Sequence, residues 1–288
     1  MKRNRSLFLA FLILAIRLLP VTAFEWPQGG VTEKSFATVF GQLRGQSFSS
    51  SLVFSQPAEI SAIKSGTVIA VLGGSDSEMG WFHSPLGNAV IISHEDGLLS
   101  VYGNLTQVVV NESTPQVAGG TKLGTSGSSG WQSGQSSLEL QVIDTEQDSA
   151  INPRLLMPRL QQELPISLYG ITAIGRNGET LELRTRKSLP AGTYKLYRGR
   201  EQEFFPHVTS VAVNGAAVET ITFDTLTRAG RRLAVAGRRP YNATETYPTL
   251  DKQFLAEITL TKGRNTLSVT VADINGKEYT ANYTLEVW

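Results

Sequence analysis

The sequence predicts an all-β protein of two domains, and three observations support that prediction. Residues 46–160 alternate short runs of β-forming residues with turns rich in Gly and Ser. Turn signals such as Asn-Gly recur between β-rich runs across residues 165–288. No stretch of residues 46–160 shows a convincing helical period. A length of 288 residues also suggests about two domains.

The first 23 residues have the features of a secretion signal. Basic residues lie within positions 2–5, an apolar run occupies positions 7–16, and small side chains at Val21 and Ala23 indicate cleavage after Ala23. The apolar run is shorter than the roughly 20 residues that span a bilayer, so no transmembrane span is expected after cleavage. An uncleaved membrane anchor remains the alternative.

Composition excludes several classes of protein. The chain has no cysteine, which rules out disulfides, thiolate zinc sites and a thiol nucleophile. Residues 24–164 contain 6 Lys and Arg against 13 Asp and Glu, a net charge of −7. Residues 165–288 contain 16 against 12, a net charge of +4. Neither balance is typical of a nucleic-acid-binding protein, so no nucleic acid partner is expected.

The first predicted domain covers residues 46–164 and follows a polar lead-in segment, residues 24–45. Its strands are indicated by alternation of apolar and polar residues and by Gly-containing turns. The predicted elements are a strand pair within 60–72 that turns at 64–66, a hairpin of 88–93 with 98–102, and a strand at 138–143.

The second predicted domain covers residues 165–288 and has the strand spacing of a β-sandwich. Its predicted strands lie within 180–186, 194–197, 210–213, 254–260, 266–271 and 279–287. Residues 228–248 are rich in Arg, Gly and Pro and are predicted to be a long loop. That segment carries a basic patch that either is solvated or contacts an anionic partner: Arg228, Arg231, Arg232, Arg238 and Arg239.

Several motifs of the first domain occur together in a known order. Residues 87–105 resemble the central hairpin of lysostaphin-type, or LytM-like, zinc endopeptidases. Residues 62–68, 117–124 and 125–134 and the pair Asn152-Pro153 match further family motifs at family spacing. The resemblance implies a LytM-like antiparallel β-sheet domain. The second domain resembles an immunoglobulin-like or fibronectin-like sandwich, on less specific motifs.

The resemblance also implies where catalytic residues should lie. The family holds one zinc with an H-x-x-x-D motif and the second His of an H-x-H motif, and it uses a further His in a Y-x-H-L motif. Here Ser49 and Val53 replace the first His and the Asp, Asn104 replaces the His of Y-x-H-L, and Ser137 and Glu139 replace H-x-H. Because three protein ligands are normally needed for catalytic zinc, we expect no catalytic residues, no metal and no cofactor.

A domain that keeps the family fold but lacks the family's catalytic residues is expected to bind a ligand without cleaving it. The ligand-groove candidates are Trp81, Tyr102, Asn104, Trp131, Ser137 and Glu139. We expect an exported protein, periplasmic or associated with the cell envelope, that binds peptidoglycan or regulates a cell-wall hydrolase. The alternatives are an active peptidoglycan metalloendopeptidase with an altered metal site and a structural envelope scaffold.

Overall fold

A computed structural model describes residues 24–73, 84–111, 113, 115–130, 137–200 and 205–288. Strands dominate this part of the chain, which confirms the all-β class. The predicted secretion signal, residues 1–23, lies outside the described residues. No helix in the described ranges is long and apolar enough to cross a membrane.

The N-terminal half, which we define as residues 24–164, has twelve strands among its described residues. They are β1 (Phe36–Thr38), β2 (Leu43–Arg44), β3 (Ser47–Phe48), β4 (Leu52–Phe54), β5 (Glu59–Ser61), β6 (Gly66–Leu72), β7 (Asn88–Ser93), β8 (Leu98–Val108), β9 (Gln116–Val117), β10 (Lys122–Ser126), β11 (Glu139–Asp144) and β12 (Ser149–Ile151). The predicted hairpin is confirmed, because β7 and β8 pair antiparallel on either side of Gly97, whose φ is +73°. The predicted strand at 138–143 is confirmed as β11.

The predicted strand pair within residues 60–72 is wrong. Strand β5 pairs with β10, whereas β6 pairs with β7 and β9. The reason lies in the residues between the two strands: the Ala62 amide donates to Thr121 O and the Ile63 amide to Tyr102 Oη, at 2.9 and 2.8 Å. Both side chains are buried, so this connection is part of the core and cannot form a tight hairpin turn.

The lead-in segment is part of the folded unit. Strand β1 pairs antiparallel with β4, and β2 forms a short hairpin with β3. Phe40 is buried, and the Phe36 ring lies 5.4 Å from the Phe54 ring between centroids. Burial of these aromatic rings ties residues 24–45 to the core although the segment looks polar in sequence.

The C-terminal half, residues 165–288, has eleven strands and one short α-helix outside the undescribed residues 201–204. They are β13 (Thr172–Gly175), β14 (Thr180–Glu182), β15 (Ser188–Leu189), β16 (Gly192–Gly199), β17 (Val208–Val213), β18 (Ala216–Ala229), β19 (Arg232–Ala236), β20 (Tyr241–Asn242), α1 (Ala243–Thr246), β21 (Lys252–Leu260), β22 (Gly263–Ala272) and β23 (Glu278–Val287). A four-stranded sheet in the order β14-β13-β16-β21 packs on strands β15, β17, β22 and β23. Leu196 and Ile258 of the first sheet share one core with Val211, Val269 and Leu285 of the second. The C-terminal half is therefore a two-layered sandwich.

The predicted long loop at residues 228–248 is wrong. Strand β18 extends to Ala229, and β19, β20 and α1 follow within the segment. Ala234 and Val235 are buried, and their contribution to the core outweighs the turn-forming composition around them. The helix α1 begins with a capping box, in which Asn242 and Glu245 bond to each other's backbone amides.

The two halves are joined by strand pairing and by a shared core. Strand β12 pairs with β11 on one side and with β18 on the other. The Phe48 ring lies 6.3 Å from the Phe223 ring and 5.8 Å from the Tyr247 ring. Gly41 lies so close that a Cβ atom there would be 2.6 Å from Phe223 Cδ1, and its carbonyl accepts a hydrogen bond from Tyr247 Oη at 3.0 Å. The core of the N-terminal half thus includes aromatic side chains from the C-terminal half.

Candidate functional site

Three neighbouring strands bring most of the replaced catalytic positions together. In the sheet, Glu139 on β11 is paired with Val53 on β4 and with Gly103 on β8. Asn104 follows Gly103 directly, and its side chain bonds to Ser137, which precedes β11 by two residues. Val53, Asn104, Ser137 and Glu139 therefore lie in one neighbourhood.

Glu139 is held by two partners from the N-terminal strands. Its Oε1 accepts a hydrogen bond from Ser51 Oγ at 2.6 Å and forms an ion pair with Arg44 Nη1 at 2.7 Å. The Glu139 side chain is 15% exposed and that of Arg44 is 42% exposed. The Arg44 guanidinium, which is the more solvent-exposed of the two groups, therefore neutralises the half-buried Glu139 carboxylate.

The other two positions for zinc ligands offer little to a cation. Ser49 is buried and its Oγ donates to Ser51 O at 3.2 Å, while Val53 is buried and has only an alkyl side chain. With Glu139 already paired to Arg44, the three positions supply one hydroxyl, one isopropyl group and one neutralised carboxylate. This donor set does not fit the three-ligand zinc site of the family. Nowhere in the described ranges do three or more His, Cys, Asp or Glu residues cluster as a metal site.

The side chain of Asn104 forms hydrogen bonds with the surrounding backbone. The residue has a φ of +66°, a left-handed conformation that Asn tolerates better than most residues. Its side chain is fully buried: Nδ2 donates to Gly127 O at 2.6 Å and to Ser137 O at 2.7 Å, and Oδ1 accepts from Gly130 N at 2.8 Å. These bonds fix the loop after β10 against the start of β11, so the amide is turned away from an open groove.

Ser137 and Tyr102 are also buried, which corrects their prediction as groove residues. The backbone of Ser137 bonds to Gly127, and its Oγ is buried without a hydrogen-bond partner in the described structure. Tyr102 Oη accepts from the Ile63 amide at 2.8 Å and from Ser100 Oγ at 3.2 Å. Burial raises the pKa of the Tyr102 hydroxyl far above its usual range. Both side chains are buried, so neither is available to a ligand.

The remaining groove candidates have different outcomes. Trp81 and Trp131 lie outside the described residues, so their prediction as rim residues stays a prediction. Glu139 alone among the described groove candidates is partly exposed. Sequence reasoning missed Arg44 and Ser51, which both bind Glu139. The glycine at position 45 was a sequence signal for the turn of the β2–β3 hairpin, which carries Arg44. In the structure Gly45 has a φ of +64°.

Family comparison identifies the N-terminal half. A model described as peptidase family M23 matches residues 51–153. A second family model matches residues 165–288. An uncharacterized protein of Treponema pallidum (strain Nichols) is 33% identical over 142 residues, which cover 44% of this chain and 92% of that protein.

Two further relatives carry descriptive names. The murein hydrolase activator NlpD of Salmonella dublin is 26% identical over 140 residues, which cover 49% of this chain and 33% of the activator. This chain thus spans about a third of the activator's length. The solved catalytic domain of the prophage-encoded M23 protein EnpA of Enterococcus faecalis is 23% identical, with a TM-score of 0.32 over 38% of this chain and 79% of that one. The family match confirms the resemblance to lysostaphin-type endopeptidases, and the chain belongs, through residues 51–153, to peptidase family M23.

Proposed function

We propose that this chain is a non-catalytic protein of the cell envelope that acts by binding, with a cell-wall hydrolase or peptidoglycan itself as its partner. The observation that carries the proposal is the ion pair of Arg44 with Glu139. A cation from the chain itself lies beside the carboxylate where the family places a zinc ligand. Zinc chemistry would need further donors there, and Ser49 and Val53 do not supply them.

Similarity to other proteins supports a role in the cell wall. Peptidase family M23 and the murein hydrolase activator NlpD both connect the N-terminal half with murein. The likeness to an activator favours control of a hydrolase as the mode of action. The predicted secretion signal at residues 1–23 agrees with an exported protein, periplasmic or associated with the envelope.

Metal content and turnover test the non-catalytic part of the proposal. Purified full chain is analysed for zinc and incubated with purified peptidoglycan, and the released fragments are counted. We expect no stoichiometric zinc and no cleavage, because Glu139 is the only acidic or imidazole group at the three ligand positions. One tightly bound zinc per chain, or peptidoglycan cleavage that a chelator abolishes, would instead establish an altered metalloendopeptidase.

Binding experiments test the rest of the proposal. The full chain is mixed with purified cell-wall sacculi and, separately, with a murein amidase whose activity is followed. Wild type is compared with Arg44→Glu, which places a repulsive charge beside Glu139, and with Glu95→Gln, an exposed control in the β7–β8 turn. We expect sedimentation with sacculi or stimulation of the amidase, reduced in Arg44→Glu and unchanged in Glu95→Gln. A folded wild type that does neither would leave the structural scaffold as the better description.

A further inference from the structure

A cavity of about 420 Å³ lies in the C-terminal half, between the face of strands β16 and β21 and the segment from β19 to α1. We propose that it binds a carboxylate-bearing ligand, with Arg238 as the residue that recognises the carboxylate. Its size is in the range of pockets that hold small molecules. The side chains used in this argument are Lys195, Tyr197, Arg238, Tyr241, Phe254 and Glu257.

The wall that carries Arg238 is fixed by a buried carboxylate. Glu219 is 4% exposed and accepts hydrogen bonds from the Arg238 amide, at 2.8 Å, and from Tyr241 Oη. Gly237 lies against the same group, since a Cβ there would be 3.0 Å from Glu219 Oε1 and 2.7 Å from Tyr241 Cε2. The backbone before Arg238 is therefore held in one position, and little ordering is required when a ligand binds.

Aromatic rings form the base of the cavity. The Phe254 ring lies 5.8 Å from the Tyr197 ring and 5.2 Å from the Tyr241 ring. The Arg239 guanidinium stacks on the Tyr241 ring at 4.3 Å and pairs with Glu245 at 2.8 Å. Arg239 and Glu245 thus neutralise each other. Rings of this kind offer flat faces to the C–H groups of a sugar or to a peptide plane.

The arrangement of charges at the cavity leaves one guanidinium open to an anion. Across the residues that the structure describes, no ion pair within 4.0 Å involves Lys195, Arg238 or Glu257. Lys195 faces Glu257 directly in the β16–β21 register, so these two charges offset each other in part. The third acidic residue of the lining, Glu219, is buried and bonded to the Arg238 backbone amide and to Tyr241 Oη. The lining is therefore neutral in total, but the exposed Arg238 guanidinium has no exposed carboxylate opposite it. A guanidinium binds a carboxylate through two parallel hydrogen bonds, which defines the ligand class.

The source of such a ligand follows from the proposed function, on which this step rests. Peptidoglycan carries carboxylates in two places, on its peptides and on the lactyl group of those muramic acid sugars from which the peptide has been removed. Both offer a carboxylate for Arg238, hydrogen-bond donors for Glu257 and an uncharged face for Tyr197 and Phe254. The shared chemistry is a carboxylate beside an amide or sugar face, and suitable probes distinguish the two sources.

Isothermal titration of the full chain tests the site with three probes: N-acetylmuramic acid, the dipeptide D-alanyl-D-alanine, and N-acetylglucosamine as the neutral comparison. We expect one of the two carboxylated probes to bind and the neutral sugar to bind at least about tenfold more weakly, the ratio that 1.4 kcal/mol produces. Arg238→Gln should weaken the carboxylated probe by about the same factor. Arg231→Gln, an exposed arginine outside the cavity lining, is the matched control and should bind as wild type does.

Several outcomes would overturn the assignment. They are no binding of either carboxylated probe, equal binding of the neutral sugar, or equal loss in Arg231→Gln and Arg238→Gln. Failure here is distinguishable from failure of the proposed function. If the chain binds sacculi or stimulates the amidase but binds neither carboxylated probe, the proposed function stands and this site is rejected. If a probe binds in an Arg238-dependent way but the chain neither sediments with sacculi nor stimulates the amidase, the site stands and the proposed function is rejected.

Discussion

Arg44 Nη1 lies 2.7 Å from Glu139 Oε1, although 95 residues separate the two in sequence. The contact joins the β2–β3 hairpin to the strand at the centre of the N-terminal sheet. A half-buried carboxylate without a partner would be destabilising or would take up a proton. The pair therefore explains how an acidic side chain is kept at a position where the family binds a cation.

The first prediction concerns the energy of this pair. Arg44→Gln should lower the free energy of unfolding by about 0.5–1 kcal/mol, a modest amount because Arg44 is partly open to solvent. Urea denaturation of Arg44→Gln, Glu139→Gln and the double variant gives the coupling between the two residues. Additive effects of the two substitutions would mean that the ion pair adds no stability.

The second prediction concerns Asn104. Asn104→Ala removes a buried amide that bonds Gly127, Gly130 and Ser137, and should lower the free energy of unfolding by about 2–4 kcal/mol. Asn104→Gly loses the same side chain but accepts the positive φ, so it should be less destabilised by about 1 kcal/mol. Equal stability of the two variants, measured by thermal or urea unfolding, would show that backbone strain plays no part.

The third prediction concerns the core shared by the two halves. Phe223 is fully buried and packs against Phe48 and Phe205. Phe223→Ala should lower the free energy of unfolding by about 3–5 kcal/mol. In calorimetry both halves should unfold together, in one transition with a lowered midpoint temperature. Leu250→Ala, at a side chain 71% exposed, is the control and should change little. Two separate transitions, with only one displaced, would instead support halves that fold independently.

The fourth prediction concerns pH. Burial lowers the pKa of His94 below its ordinary value of 6.5, against the opposing influence of its bond to Ser65 O. Below pH 6.5, His94 binds a proton more readily in the unfolded chain than in the folded chain. The free energy of unfolding therefore falls as pH falls from 6.5 toward the lowered pKa of the folded chain. Urea midpoints of wild type should therefore decrease between about pH 7.5 and about pH 5.5. The decrease should be smaller in His94→Gln, and an identical decrease would assign it to other groups.

Local patterns in the sequence predicted the features that depend on local physics. The β7–β8 hairpin follows from a Gly at a position with positive φ, and β11 from the alternation that buries Leu140 and Val142. Pairing partners were harder to predict. The position of β5 beside β10 depends on the burial of Ala62 and Ile63, which no turn signal encodes.

The candidate site was predictable in position and less so in character. Family motifs indicated the positions Val53, Asn104 and Glu139, and in the structure these residues lie on or beside the adjacent strands β4, β8 and β11. Motifs could not show that Asn104 and Tyr102 are turned into the interior, because this depends on the bonds that each side chain makes. Arg44 lies outside the motifs, and only the folded hairpin brings it to Glu139.

Strand β12 has a mechanical consequence for the whole molecule. It lies between β11, which carries Glu139, and β18, which carries Glu219, the residue that binds the Arg238 amide. Tilting one half against the other would shear the pairs Ser149 with Thr227, Ala150 with Leu226, and Ile151 with Thr225. Load applied to one half therefore passes to the other through the backbone hydrogen bonds of β12 with β18, beside the shared aromatic core.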